Sequence, residues 1–167
     1  MQTFGHTERF HLVAATGWLE LGNWREGALE LDQLGPELQA HPDVLRVRWA
    51  LASAAKDWPR AVEFARALAE QEPDDSFGFV HQAYALHELK RTKEAWDLLN
   101  AAADKFPKEY LIQYNLACYA CQLGEREKAI AFLTKAFKLG GKRDVRAMAL
   151  KDPDLAPLKA DIKGMGS

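Results

Sequence analysis

The chain has 167 residues, 48% apolar and 28% charged, with a formal net charge of −2 from 22 basic and 24 acidic side chains. That is ordinary globular composition, in a chain long enough to bury about 70% of the surface it exposes when unfolded. The balanced charge excludes a dominant pull toward nucleic acid or an anionic membrane, and no apolar run reaches the roughly 20 residues that span a bilayer.

In chain order, residues 1–7 are read as an N-terminal extension. The opening stretch MQTFGHTERFHLV has no basic n-region, apolar core or small-residue cleavage site. The two cysteines, Cys118 and Cys121, fall within one predicted helix and build no disulfide framework. A reducing, cytoplasmic setting is the expectation.

From residue 8 to 143 the chain repeats itself. The pieces LGNWREGALEL, AKDWPRAVEFA, LKRTKEAWDLL and LGEREKAIAFL place Gly27, Ala61, Ala95 and Ala129 at one position, each 34 residues from the next. Trp24 and Trp58 stand three residues before that position in the first two pieces. An apolar helical stretch precedes every piece. A second helix comes after it, ending at Pro73, at Pro107 and at Gly140-Gly141; the first unit instead carries LGPELQAHPD, a kinked connection around Pro36 and Pro42.

In the first helices, Ala15 and Trp18, Ala83 and Leu86, and Ala117 and Ala120 recur at two fixed points. The second unit inverts the order with Trp49 and Ala52, a swap that conserves volume. The second helices carry an apolar stripe at i, i+4, i+7, such as Ala129, Leu133 and Ala136. A small residue at its start admits a close helix pair, and Gly27 fits there at about 1 kcal/mol of helix propensity against Ala.

After the fourth unit, a fifth first-helix begins and breaks at Asp152-Pro153. Leu155, Leu158 and Ile162 then form a short apolar stripe, so residues 144–163 are read as a capping segment for the last repeat. Residues 164–167 are read as a frayed tail.

Two helices per 34-residue unit resemble the tetratricopeptide repeat, with its W-x2-L-G-x2-Y, A-x3-F and P landmarks. The resemblance covers four units, best in FGFVHQAYALHELKRTKEAWDLLNAAADKFP and QYNLACYACQLGEREKAIAFLTKAFKLGG. It implies an all-α, right-handed superhelix of antiparallel helix pairs, with the first helices lining a concave groove where ligands lie. The groove positions at i, i+3, i+7, i+10 are Arg9, Leu12, Thr16 and Leu19, then Asp43, Arg46, Ala50 and Ser53. The third unit supplies Phe77, Val80, Tyr84 and His87, and the fourth Leu111, Tyr114, Cys118 and Cys121.

The candidate peptide-binding residues are therefore Arg9, Arg46, Phe77, Val80, Tyr84, His87, Leu111, Tyr114, Cys118 and Cys121. An apolar, aromatic half and an arginine-bearing half suit an extended or helical peptide with apolar anchors and an acidic end. The competing reading is that the aromatics pack on the neighbouring unit or on a fold-back of residues 1–10. The Lys/Asn/Asn/Lys/Arg clamp of carboxylate-gripping relatives is absent, because Leu12, Thr16, Val47, Phe77 and His81 stand there.

Cys118-x-x-Cys121 lies deep in its helix, where a terminus gives no help to a thiolate. A zinc site with His87 lacks a fourth ligand. His6 and His41 are expected in solvent, and neither His81 nor His87 has a nucleophile with an orienting acid. The Gly141-Lys142 stretch fails as a phosphate loop. The expectation is a non-catalytic module with no cofactor and no metal, whose partner is another protein. A metal- or redox-responsive protein using the cysteines, and a self-associating structural unit, are the alternatives.

Overall fold

In the computed structural model, which describes residues 4–165, the described chain is all α, without strands. The helices are α1 (His6–Glu20), α2 (Trp24–Asp32), α3 (Pro42–Ala54), α4 (Trp58–Gln71) and α5 (Ser76–Glu88). They continue as α6 (Thr92–Ala103), α7 (Tyr110–Gln122), α8 (Arg126–Gly140), α9 (Lys142–Lys151) and α10 (Lys159–Gly164). Short 3-10 turns at Pro36–Leu38 and Pro153–Leu158 complete the path.

Every repeat turns back in the same way. Gly22, Lys56, Lys90 and Gly124 occupy one place in the 34-residue period, and all four have positive φ, from 57° to 78°. The next residue's N–H returns five positions to the carbonyl of Trp18, Ala52, Leu86 or Ala120, at 2.8–3.0 Å. This ends the first helix with its carbonyls satisfied and aims the chain back along it. The second helix is then capped: Asn23 accepts from the Glu26 N–H and Asp57 from the Arg60 N–H.

Five residues beyond the turn comes the small residue. Ala61, Ala95 and Ala129 are fully buried, and each heads a stripe continued by Ala65 and Leu68, Leu99 and Ala102, or Leu133 and Ala136. The stripe packs the second helix on the first, which is what the sequence periodicity demands.

Residues up to Ala85 form one compact unit and those from Leu86 a second. In the first, Ala15, Leu31, Leu34, Leu38, Val44 and Leu51 make a core. Phe4, Leu12, Leu19 and Trp24 pack against it. In the second, Leu116, Tyr119, Leu133, Leu155, Leu158 and Ile162 are almost wholly buried. The apolar stripe of the C-terminal segment thus belongs to that unit's core.

His41 departs from its expected solvated loop position. It is 9% exposed, its ring meets Phe4 edge-on at 4.6 Å, and its Nδ1 accepts from the Asp43 N–H at the start of α3. The connection before Pro42 folds inward because Leu34 and Leu38 need cover. Residues 1–3 of the expected extension and 166–167 of the expected tail lie outside the described residues.

Two substitutions test this frame. A methyl group at Gly78 would stand 2.7 Å from the Ala69 Cα and 2.9 Å from the Ala65 carbonyl, where backbone must yield. Gly78→Ala should therefore lose about 2 kcal/mol of stability in urea. Lys56→Gly, at φ 57°, should instead gain up to about 1 kcal/mol by relieving a left-handed non-glycine residue.

Candidate functional site: two helix faces

The groove positions resolve into two separate settings, one in each unit. In the first, α3 and α5 build an aromatic face. Phe77 stacks on His81 at 3.7 Å, and Trp49 meets the His81 ring edge-on at 4.2 Å. Tyr84 lies edge-on to both Trp49, at 6.5 Å, and Trp58, at 5.7 Å. Such edge-to-face pairs hold the rings in fixed orientation. Tyr84 stays 37% exposed, and the indole N–H of Trp49 is buried without an acceptor.

Arg46 lies against this face, its guanidinium 5.1 Å from the Phe77 ring centre. It donates to Glu72 at 2.6 Å and to Asp75. Burial works against its charge, and the two carboxylates outweigh burial, so the group is held protonated more firmly than usual. Asp75 also starts α5, because its Oδ1 accepts from the Phe77 N–H. Two carboxylates thus hold one cation. Burial holds the His81 imidazole below its ordinary pKa, and Arg46 adds to that. The bond to the Phe77 carbonyl and the charge of Asp75 oppose it.

In the second unit the corresponding face is covered by the chain itself. After α9 the backbone extends at Asp152 (φ −71°, ψ 122°) and lays the turn Pro153–Leu158 along α7. The Asp152 carboxylate accepts from the Tyr114 hydroxyl at 2.7 Å and from the Cys118 thiol at 3.7 Å. Its other oxygen accepts from the Asp154 N–H. The Asp154 carboxylate lies 3.0 Å from His87 Nε2, while His87 Nδ1 pairs with the Thr92 hydroxyl at 2.9 Å. The Gln122 amide donates to the Asp154 carbonyl at 2.8 Å.

No family model matches the chain, and neither does any curated protein. Solved structures do. MamA 41-end from Desulfovibrio magneticus RS-1 superposes with a TM-score of 0.73 at 18% identity, over 98% of this chain and 94% of that one. The MamA RS-1 ArsTM double mutant gives 0.71 at 15% identity, over 84% and 79%. MamA MSR-1 C2 gives 0.66 at 22% identity, over 79% and 76%. At these identities the likeness is one of fold.

The fold is a tetratricopeptide-type helical solenoid. Among the residues expected on the groove of such a solenoid, the structure gathers Arg46, Phe77 and Tyr84 on one face. It gathers His87, Tyr114 and Cys118 around two aspartates on the other, with Cys121 buried one turn further along α7. Val80 is buried and Leu111 half-buried. Arg9 lies apart on α1, exposed, donating to the Phe4 carbonyl at 3.2 Å. The expected acidic ligand end near the arginines finds Arg46 already held by two carboxylates.

Sequence reasoning missed Trp49, Trp58 and His81 as members of the aromatic face, read Asp152 only as a helix break, and missed Asp154. The signal for the last pair was present: two carboxylates bracket a proline directly after α9.

Cys118 and Cys121 are free thiols. Burial first, then the charges of Asp152 and Asp154, push both above the usual thiol range, Cys118 most. That environment opposes the thiolate that redox chemistry and metal ligation both need. Among the described residues no three His, Cys, Asp or Glu side chains are grouped to hold a metal ion. With a chromogenic disulfide reagent at pH 8, both cysteines should react at least roughly tenfold more slowly in the native chain than in guanidinium. Equal rates would place them in solvent.

Proposed function

We propose that the protein is a non-catalytic interaction module that holds a peptide segment of a partner protein against the α3–α5 face. The observation that carries this reading is the aromatic cluster of Trp49, Phe77, His81 and Tyr84, left partly open on a first-helix surface. Large, rigid rings of this kind anchor bound chains at little entropic cost. Glu72 and Asp75 outnumber Arg46 beside it, so the segment that fits best joins an apolar anchor to a basic residue. Two free, buried thiols suit a reducing, cytoplasmic setting.

Self-association is the second reading, and one observation favours it. Phe10 and Val13, three apart on α1, are 61% and 71% exposed. An apolar face on an end helix can pair with its twin.

Affinity capture with the native chain and with Tyr84→Glu tests the first reading. The variant should keep its helix content in circular dichroism and lose the partners that the native chain retains. Retention of those partners should weaken as salt rises from about 0.05 to 0.5 M, as a charge-complementary contact requires. Capture of one identical set by both chains contradicts the reading. A mass that rises with concentration in light scattering then assigns the chain to self-association.

A further inference from the structure

The segment that closes the second unit does more than hide apolar surface. Burying Leu155, Leu158 and Ile162 is enough to cap a terminal repeat, and all three are at most 1% exposed. Starting the turn Pro153–Leu158 occupies one oxygen of Asp152, which accepts from the Asp154 N–H, and leaves its other oxygen and the Asp154 carboxylate for contacts that such a cap does not require. Yet two aspartates, two residues apart, each meet side-chain donors from the groove positions. Tyr114 and Cys118 converge on Asp152, and His87 meets Asp154.

His87 is set up for that contact. The Asp154 carboxylate can only accept, so Nε2 carries a proton and donates to it, while Nδ1 pairs with the Thr92 hydroxyl and fixes the ring. Gln122 adds a bond to the Asp154 backbone carbonyl, the contact that holds a peptide irrespective of its side chains. The segment is extended at Asp152 and then turns, with Pro153, Ala156 and Pro157 facing solvent. Side-chain donors that read alternate carboxylates, a donor for the main chain and an apolar pocket one residue later together make a recognition site for a short linear motif.

We infer that the α7 face with His87 is a receptor for an acidic Asp-x-Asp-Leu peptide, and that Asp152–Leu155 is its resident intramolecular ligand. A partner protein carrying the same pattern reaches the site by displacing the chain's own segment. The site is distinct from the α3–α5 face, so its failure leaves the reading of that face untouched.

The test uses the full chain and a labelled peptide of its own sequence, KDPDLAPLKADIK, monitored by fluorescence anisotropy. In the full-length Asp152→Ala/Asp154→Ala variant the resident contact is weakened. The peptide should bind this variant at least tenfold more tightly than it binds the native chain. A peptide with the aspartates of positions 152 and 154 changed to asparagine, and that of position 161 kept, should bind at least tenfold more weakly than the original.

A variant of native helix content that binds no peptide overturns the proposal, and so does equal binding of the two peptides. Should the variant lose its helices, hydrogen exchange on the native chain decides. Excess peptide should speed exchange across residues 152–162 and leave α8 unchanged, and an unchanged pattern overturns the proposal. A native chain that dimerises by exchanging this segment overturns the partner assignment and gives the site to a second copy.

Discussion

Each hairpin depends on one backbone conformation repeated at a fixed interval. Gly22, Lys56, Lys90 and Gly124 take left-handed φ, the following N–H returns to a carbonyl five residues back, and the chain reverses onto its own first helix. Five residues later the second helix must come close to the first. Only a very small residue lets it, which explains Gly27, Ala61, Ala95 and Ala129. Turn and contact are therefore one constraint. Lys56 and Lys90 tolerate a strained φ because the two backbone bonds that close the turn, and the helix packing behind it, over-determine their geometry.

The same constraint decides what each first helix can offer. With one side of the helix committed to its hairpin partner, the other side carries Trp49, Phe77 and Tyr84 in the first unit, and Tyr114, Cys118 and Cys121 in the second. The chemistry of these two faces differs sharply. Rings and surplus carboxylates define one, with Arg46 neutralised in place. Donors define the other, and the chain's own Asp152 and Asp154 satisfy them. Burial beside those carboxylates also makes the cysteine pair poorly ionisable and the Tyr114 hydroxyl a committed donor. A C-x-x-C that looks like chemistry in one dimension becomes part of a hydrogen-bonded seat in three.

Most of the fold was legible, because local rules repeat in it. The 34-residue spacing, the stripe of Ala129, Leu133 and Ala136, and the break at Asp152-Pro153 are each set by contacts within a few turns of helix. The groove positions were legible as positions, since period alone places Tyr84 and Tyr114 on one side of their helices. Their surroundings were not. Asp152 reaches Tyr114 across 38 residues, and Arg46 reaches Asp75 across 29. No periodicity encodes pairings at that separation. His41 shows the same limit at shorter range: a loop histidine reads as solvated until Phe4 is seen to pack on it.

The seating of the C-terminal segment on α7 rests on the bond between Tyr114 and Asp152, and a double-mutant cycle measures that bond directly. Tyr114→Phe and Asp152→Asn would be compared, singly and together, by urea denaturation of the full chain. A buried hydroxyl donating to a charged carboxylate predicts a coupling energy of about 1.5–3 kcal/mol. Additive effects, with coupling near zero, would mean that the segment does not lie on the α7 face and that the face is open.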